Sequence, residues 1–276
     1  LEFRRVLFRS MILFDTGYSN AFMKNAEKMG IDLSHLDYIV FSHGHNDHTG
    51  GMKYLFKLNK KIKVIMHPLT DGKKMYRGSD ISMPVKPSEF PENFEVIKTR
   101  EPLKLSPHLT YLGEIPRKIQ EHIWLENDPL WDDSAIVYND GTKLFIITGC
   151  SHSGIINICE HARKTTGITE IAGIIGGFHL QDDPLQTEKV CRYFRNNTPG
   201  VLYPCHCTDL KAKIALAAVC EIREVGVSTQ IRIYYRWLDD GAETMNNQTD
   251  TTAAVSGTSN ADILVNFHLT QVQSTT

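Results

Sequence analysis

The chain has 276 residues, a length that fits one large domain or two small ones. Hydrophobic residues make up 41% of it and charged residues 22%, values typical of a globular protein. The formal net charge of −2 argues against a polyanion-binding surface over the whole molecule, and six Cys in a chain this long do not indicate a disulfide framework.

The first part of the chain predicts strands separated by short helices. Residues 1–10 mix Arg with apolar residues but lack the hydrophobic core and cleavage site of a secretory signal, so we interpret them as a non-native or sequence-assembly segment. The apolar patterns then predict strand 11–15, helix 22–29, strand 37–42, helix 52–58 and strand 61–66. Residues 67–94 contain six Pro and Gly residues without a clear period and predict a long loop, of the kind that often forms a lid.

The second part predicts further strands that alternate with helices, and then a tail. Strands are predicted near residue 96 and at 110–112, 135–138, 143–148, 171–175, 200–203 and 230–234, and helices at 155–166, 184–196 and 208–225. After residue 241 the chain is rich in Thr, Ser, Asn and Gln, which predicts a poorly ordered tail over 236–276, with an added edge strand at 263–269 as the alternative. The expected folded domain is 11–235, of the α/β or α+β class with sheets covered by helices.

One segment concentrates residues that bind metals. His43, His45, Asp47 and His48 lie within six positions, directly after a predicted strand. In a loop, His43 and His45 can point the same way, while Asp47 and His48 turn towards a second point a few ångströms away. Imidazoles and carboxylates at this spacing suit two neighbouring metal ions better than core packing, because their polar atoms need partners.

This His-x-His-x-Asp-His run resembles the hallmark of the metallo-β-lactamase fold superfamily, and the turn Phe14–Gly17 resembles its early Asp-Thr-Gly turn. The resemblance implies a four-layer αββα sandwich, truncated at the N-terminal strands. Further segments resemble the subgroup named after 7,8-dihydropterin-6-yl-methyl-4-(β-D-ribofuranosyl)aminobenzene 5′-phosphate synthase. These are Gly113–Arg117, Gly149–His152, Gly176–Leu180 and Cys205–Thr208.

The resemblance implies two divalent metal ions, with Zn²⁺ expected and Mn²⁺ or Fe²⁺ as alternatives. The implied ligands are His43, His45 and His152 for one ion, and Asp47, His48 and His206 for the other. Where the superfamily has an Asp that bridges both ions, this chain has Cys150. We interpret Cys150 as a small buried residue beside the metals, with a soft ligand as the alternative, and Cys207 as packing beside the ligands.

Three further roles follow from the resemblance. Asp47 is expected to orient a metal-activated hydroxide and to accept its proton. His179, at the end of a predicted strand, is expected to donate to a phosphate or to a developing oxyanion, with a core histidine as the alternative. Arg117 is a candidate phosphate clamp, although a solvated arginine fits its position nearly as well.

The expected function is therefore that of a metal-dependent hydrolase acting on a phosphorylated or phosphodiester small molecule, with a pterin-like compound as one candidate substrate. The alternatives are a lactone or thioester hydrolase, and a metal-containing sensor with little turnover. We expect no membrane partner, since no apolar run approaches the ~18 residues of a membrane span. We expect no nucleic-acid partner, since the net charge is −2 and no inserted domain is large enough to grip a polynucleotide. The expected location is cytoplasmic. Missing N-terminal strands would expose a sheet edge, which predicts low stability or a homodimer formed through that edge.

Overall fold

In a computed structural model, the chain forms two main β-sheets flanked by helices. The structure describes residues 10–119, 128–227, 229–231, 233 and 263–265. The interpretations of residues 1–9 and of most of the 236–276 tail concern positions outside this set. Within the described residues, no helix is both long and apolar enough to cross a bilayer.

The described residues form β-strands, α-helices and short 3₁₀ turns. The strands are β1 (Met11–Phe14), β2 (Leu36–Val40), β3 (Ile62–Met66), β4 (Met75–Tyr76), β5 (Ser79–Asp80), β6 (Phe94–Lys98), β7 (Leu103–Lys104), β8 (Leu109–Tyr111), β9 (Ala135–Asn139), β10 (Lys143–Thr148), β11 (Glu170–Gly176), β12 (Val201–Pro204) and β13 (Ile263–Val265). The α-helices are α1 (Ala21–Lys28), α2 (Asn46–Thr49), α3 (Ile155–Thr166), α4 (Pro184–Asn196) and α5 (Leu210–Ala217), and 3₁₀ turns lie at Leu33–His35, Met52–Leu55 and Pro87–Glu89.

The two sheets differ in strand direction. The first has the order β13-β1-β2-β3-β6, and every neighbouring pair in it is parallel. The second has the order β12-β11-β10-β9-β8-β7, in which β10, β11 and β12 are parallel and the remaining pairs are antiparallel. Parallel strands deliver their carboxyl ends to one edge of a sheet, so loops that follow them gather there.

Alternation along the strands places apolar side chains on both faces of each sheet. Phe14 and Val40 pack with Phe145 and Ile147 of the second sheet in a core between the sheets. The intervening residues of the first sheet, such as Leu13, belong to a second core that includes side chains of α1. A third core joins the other face of the second sheet to α3, α4 and α5. Three cores between four layers make the αββα sandwich that the resemblance implies.

Several predicted elements are confirmed and others are wrong at their ends. Helices α3 and α4 have the predicted bounds. The predicted helix 52–58 is a 3₁₀ turn at Met52–Leu55. The predicted helix 208–225 covers only α5, because the chain then leaves the helix to bond to β12: the Leu202 N–H donates to the Glu221 carbonyl. Of the predicted strand 230–234, residues 230, 231 and 233 are described and carry no strand, and the other two lie outside the described residues.

The predicted loop 67–94 and the predicted tail 236–276 both contain β-strands. The predicted loop 67–94 contains the hairpin of β4 and β5. The segment next to this hairpin bonds to residues 43–48, the predicted metal-binding loop: the Asn46 N–H donates to the Ile81 carbonyl at 2.8 Å. In the tail, β13 pairs in parallel with β1. The edge-strand alternative is therefore correct for residues 263–265. β1 therefore has neighbours on both sides, and β13 is the outermost described strand on this side of the first sheet. The expectation of an exposed sheet edge that forms a homodimer stays a prediction.

Candidate metal centre

The predicted ligands converge at the carboxyl ends of strands from both sheets. His43, His45, Asp47 and His48 follow β2, and His152 follows β10 by a few residues. His179 and His206 follow β11 and β12 in the same way. Gly44 lets this loop pass close to its neighbours, since a Cβ at that position would clash with the Thr70 carbonyl and the Lys74 side chain.

His43, His45 and His152 form the first group. Their ligand nitrogens lie within 4.8 Å of one another. His43 Nε2 is 3.0 Å from His45 Nδ1. Two nitrogens that each lie about 2.0–2.1 Å from one tetrahedral zinc ion are about 3.3 Å apart. The separation of these two nitrogens is therefore close to the value that a shared ion requires.

Asp47, His48 and His206 form the second group. The Asp47 carboxylate oxygen Oδ2 lies 3.4 Å from His48 Nε2 and 3.3 Å from His206 Nε2. The two groups are adjacent, because the His43 and His48 ring centroids are 4.1 Å apart. The six residues thus form two three-ligand groups side by side, divided as the resemblance implies.

A buried carboxylate from the first strand orients His48. His48 Nδ1–H donates to Asp15 Oδ2 at 2.7 Å, and Ser42 Oγ–H donates to the same oxygen at 2.7 Å. The Ser42 N–H donates to Asp15 Oδ1 at 2.8 Å. With Nδ1 engaged in this way, His48 directs Nε2 towards the centre, which is the usual function of a carboxylate behind a ligand histidine. In the sequence, Asp15 stands out only as part of a turn, and this contact with His48 is not predicted from it.

A buried charge cluster supports the other side of the metal-binding loop. Lys74 Nζ donates to Asp132 Oδ1 at 2.8 Å, and it lies 3.4 Å from Asp128 Oδ2. Asp132 Oδ2 accepts the Gly44 N–H at 2.8 Å, and Asp128 Oδ2 lies 3.5 Å from His45 Nε2. All three charged side chains are almost fully buried. This cluster is not predicted from the sequence. The run of acidic residues before β9 is the sequence feature that could have indicated it.

The remaining candidate residues occupy different places. The Cys150 sulfur Sγ is 3.2 Å from His48 Nε2, and the Cys207 thiol donates to the Cys150 carbonyl at 3.5 Å. The half-buried His179 ring lies with its centroid 4.6 Å from that of His152. The Arg117 guanidinium lies 4.6 Å from the Trp131 ring centroid and donates to the Leu130 carbonyl. Arg117 is thus held by the segment before β9.

Comparison with known proteins agrees with this geometry. The sequence model of the metallo-beta-lactamase superfamily matches residues 10–156. This chain belongs to the metallo-beta-lactamase superfamily. An uncharacterized protein of Methanocaldococcus jannaschii is 32% identical over 223 residues, which cover 75% of this chain and 82% of the relative.

Two other relatives have more informative names. The 7,8-dihydropterin-6-methyl-4-(beta-D-ribofuranosyl)-aminobenzene-5'-phosphate synthase of M. jannaschii is 29% identical over 233 residues, covering 74% of this chain and 78% of the relative. The crystal structure of Tm1679, described as a metal-dependent hydrolase of the beta-lactamase superfamily, matches with a TM-score of 0.70 and 26% identity, covering 80% of this chain and 88% of that one. The chain therefore has the fold of metal-dependent hydrolases of the metallo-beta-lactamase superfamily.

The electrostatics of the centre suit a bound cation. Burial, reinforced by neighbouring histidines, holds the pKa of His43 and of His152 well below the usual range, so both imidazoles are neutral and able to act as ligands. Burial alone would lower the pKa of His48, but the Asp47 and Asp15 carboxylates outweigh it and raise that pKa well above its usual range. His48 thus carries the positive charge that Asp47 and Asp15 require, and a metal ion would replace the proton on its Nε2.

The two cysteines differ in acidity. Burial raises the pKa of the Cys150 thiol well above its usual range. Burial also acts to raise the pKa of Cys207, but the interaction with Cys150 and the neighbouring His179 and His206 lower it to about 5. A thiol that coordinates a metal ion releases its proton to solvent, because the ion binds the sulfur in place of the proton.

Proposed function

We propose that this member of the superfamily is a metal-dependent hydrolase that acts on a phosphorylated or phosphodiester small molecule. The observation that carries the proposal is the buried ring of His152, whose two nitrogens have no hydrogen-bond partner among the described residues. A buried imidazole without partners is costly. A divalent metal ion is the partner that the neighbouring nitrogens of His43 and His45 favour.

Two divalent ions fit the two ligand groups. One would be held by His43, His45 and His152, and the other by Asp47, His48 and His206. Zn²⁺ is the expected ion because the donors are mostly imidazoles, with Mn²⁺ and Fe²⁺ as alternatives. When bound, the ions would lower the pKa of water towards neutrality and stabilise the negative charge that develops during hydrolysis.

Asp47 and His179 are the residues proposed to act during the reaction. The Asp47 carboxylate would orient the attacking water and accept its proton, since it lies at the second ligand group and reaches both His48 and His206. His179 would donate a hydrogen bond to a phosphate oxygen or to the developing oxyanion, since its ring lies beside that of His152.

The proposed substrate class draws on two relatives and on one residue. One relative is named as a synthase of a dihydropterin compound that carries a ribofuranosyl 5′-phosphate, and Tm1679 is described as a hydrolase. A phosphorylated, pterin-like substrate combines these two descriptions. Arg117 is the proposed phosphate contact, and it would have to turn part of its guanidinium from the Leu130 carbonyl towards the substrate.

Two alternatives use the same centre. A lactone or thioester hydrolase needs the same attacking water but a carbonyl substrate. A metal-containing sensor would bind its ligand with little turnover. The stretch Thr148–Cys150, which lacks the bridging carboxylate that the resemblance implies, favours this alternative.

A substrate panel separates the three functions. Purified protein loaded with Zn²⁺ or Mn²⁺ would be assayed with phosphodiesters, lactones and thioesters, beside the variants H152A and D47N. The control is H35A, since His35 is exposed and pairs only with Asp32 in the described part of the chain. We expect phosphodiester turnover that the first two variants lose and that H35A retains. Turnover of only lactones or thioesters favours the second function, and tight binding without turnover favours the sensor.

A further inference from the structure

We infer that the thiolate of Cys150 is a metal ligand placed between the two histidine groups. This inference rests on the proposed metal centre and deepens it. It makes the site a mixed nitrogen, oxygen and sulfur site. It also assigns to Cys150 a role that differs from simple packing beside the ligands.

The position of the Cys150 sulfur relative to both groups is the first support. Its Sγ lies within 4.8 Å of ligand atoms of His43, from the first group, and of His48, from the second. The same sulfur lies within 4.8 Å of ligand atoms of His206 and Cys207. The Cys150 sulfur therefore lies near ligand atoms of both groups.

The direction of the contact with His48 is the second support. Since His48 Nδ1 is engaged by Asp15, the nitrogen that faces Cys150 at 3.2 Å is Nε2, the ligand atom. The Asp47 carboxylate approaches this same nitrogen at 3.4 Å. Sulfur and nitrogen that lie about 2.3 Å and about 2.0–2.1 Å from one tetrahedral zinc ion are about 3.5 Å apart. The sulfur is thus on the metal side of the His48 ring and near the separation that a shared ion requires.

The backbone before Cys150 is the third support, because it fixes the position of the sulfur. A Cβ at Gly149 would clash with Ser42 Oγ and would lie 3.3 Å from Asp15 Oδ2. The chain therefore approaches Cys150 in direct contact with the Asp15–Ser42 pair that orients His48. The Cys150 thiol and the His48 imidazole are held by the same small group of buried residues. Because a close-packed interior transmits strain, a shift of one side chain displaces the other.

The chemistry of a thiolate restricts the ion. Sulfur ligands favour Zn²⁺ or Fe²⁺ over Mn²⁺. On binding, the Cys150 S–H bond breaks, a sulfur–metal bond forms, and the proton passes to solvent. Wild-type protein should therefore select zinc or iron from a mixture that also contains manganese, whereas a carboxylate at this position would weaken that selection.

Cobalt substitution tests the inference without reference to activity. Co²⁺ bound to a thiolate gives an intense sulfur-to-metal charge-transfer band in the near ultraviolet, which imidazole and carboxylate ligands do not give. The full chain would be loaded with Co²⁺ as wild type, C150A, C150D and C207A. The matched control is C159A, which removes an equally buried thiol from the core beside α3. We expect the band in wild type, C159A and C207A, and its loss in C150A and C150D, with C150D still binding cobalt.

Two results would overturn the inference. One is a wild-type cobalt protein without the band, and the other is a band that survives in C150A or C150D and disappears in C207A. If C150A fails to fold, C150D decides the matter because it keeps a ligand at the position. The outcome is independent of the proposed function, since the band can be present in a protein that hydrolyses nothing, and turnover can be present without the band.

Discussion

At the scale of single residues, Asp15 shows how a side chain outside the ligand set determines what a ligand does. Its two carboxylate oxygens accept from the Ser42 N–H, from Ser42 Oγ–H and from His48 Nδ1–H. The last of these bonds fixes both the orientation and the tautomer of the His48 ring. The residue has a φ of 58°, a conformation that few side chains adopt without support from their surroundings.

Replacing Asp15 by Asn should weaken metal binding at the second group. The amide keeps the size of the side chain but loses the charge, and one of its two polar groups becomes a donor facing Ser42 or His48. Loss of such a partner usually lowers metal affinity about 10–100-fold. Competition with a chromophoric chelator would measure the change, with D32N as the control because Asp32 is exposed. Equal affinities of D15N and wild type would contradict the assigned role.

The residue scale also separates what the sequence could predict from what it could not. The convergence of the six candidate ligands was predictable because the superfamily resemblance places them in short motifs at strand ends. The Lys74 cluster was not predictable, because Lys74 contacts Asp128 and Asp132, which follow it by 54 and 58 positions. No local sequence pattern connects residues that far apart. Its members become a unit only after the segment that contains β4 and β5 packs against the loop before β9.

Replacing Lys74 by Met should destabilise the protein markedly. Asp128 and Asp132 would then be buried without a compensating cation, and removal of one partner from a buried pair costs about 3–5 kcal/mol. Chemical denaturation would measure the free energy of unfolding. The neighbouring exposed Lys73 provides the control K73M, which should change it little. The double variant K74M/D132N should recover part of the loss; a loss below about 1 kcal/mol in K74M would contradict the account.

At the scale of elements, local signals explain which boundaries were predictable. Helix α4 begins at Pro184 after Asp183, whose side chain accepts the Gln186 N–H, and α3 ends before Gly167 in the left-handed conformation. Both signals are visible in the sequence. The end of α5 carries no such signal. It is set by pairing of the following segment with β12, which is a tertiary contact.

The turn between β9 and β10 offers a test of local stability. Asp140 Oδ1 accepts from the Thr142 and Lys143 N–H groups, at 2.8 and 2.7 Å. Burial acts to raise the pKa of Asp140, but these bonds outweigh it and lower the pKa. D140A should therefore lower the free energy of unfolding by about 1 kcal/mol at neutral pH, seen as a Tm decrease of about 2–4 °C.

The same turn should show a defined pH dependence. A depressed carboxyl pKa contributes stability that is fully present above the unfolded value near 4 and is lost as pH falls through the folded value. The difference between wild type and D140A should therefore shrink below about pH 4. Exposed Glu92 supplies the control E92A. A difference that is constant from pH 7 to pH 3 would contradict the assignment.

At the scale of the whole molecule, the candidate metal centre lies where the two sheets meet. Its candidate ligands follow β2 of the first sheet and β10 and β12 of the second, and Asp15 adds the end of β1. The αββα arrangement was predictable from the family resemblance. The parallel pairing of β13 with β1 was predicted only as an alternative. It joins segments about 250 positions apart, and the second segment lies in a region of weak apolar periodicity.

Metal removal should therefore lower the stability of the entire fold. A ligand that binds only the native state at a free concentration about 1,000 times its Kd stabilises by about 4 kcal/mol. Dialysis against a chelator should lower the Tm in a single cooperative transition, and added Zn²⁺ should restore it. An unchanged Tm after verified removal of metal would show that the ligand groups are stable without an ion.

The most direct test of the central claim is the metal content of purified protein, determined by elemental analysis for wild type, H152A and the control H35A. The account predicts about two divalent ions per chain in wild type and in H35A, and about one in H152A, because only the first group loses a ligand. Wild-type protein that binds no divalent ion after exposure to Zn²⁺, Mn²⁺ and Fe²⁺ would contradict it, as would an H152A variant with undiminished metal content.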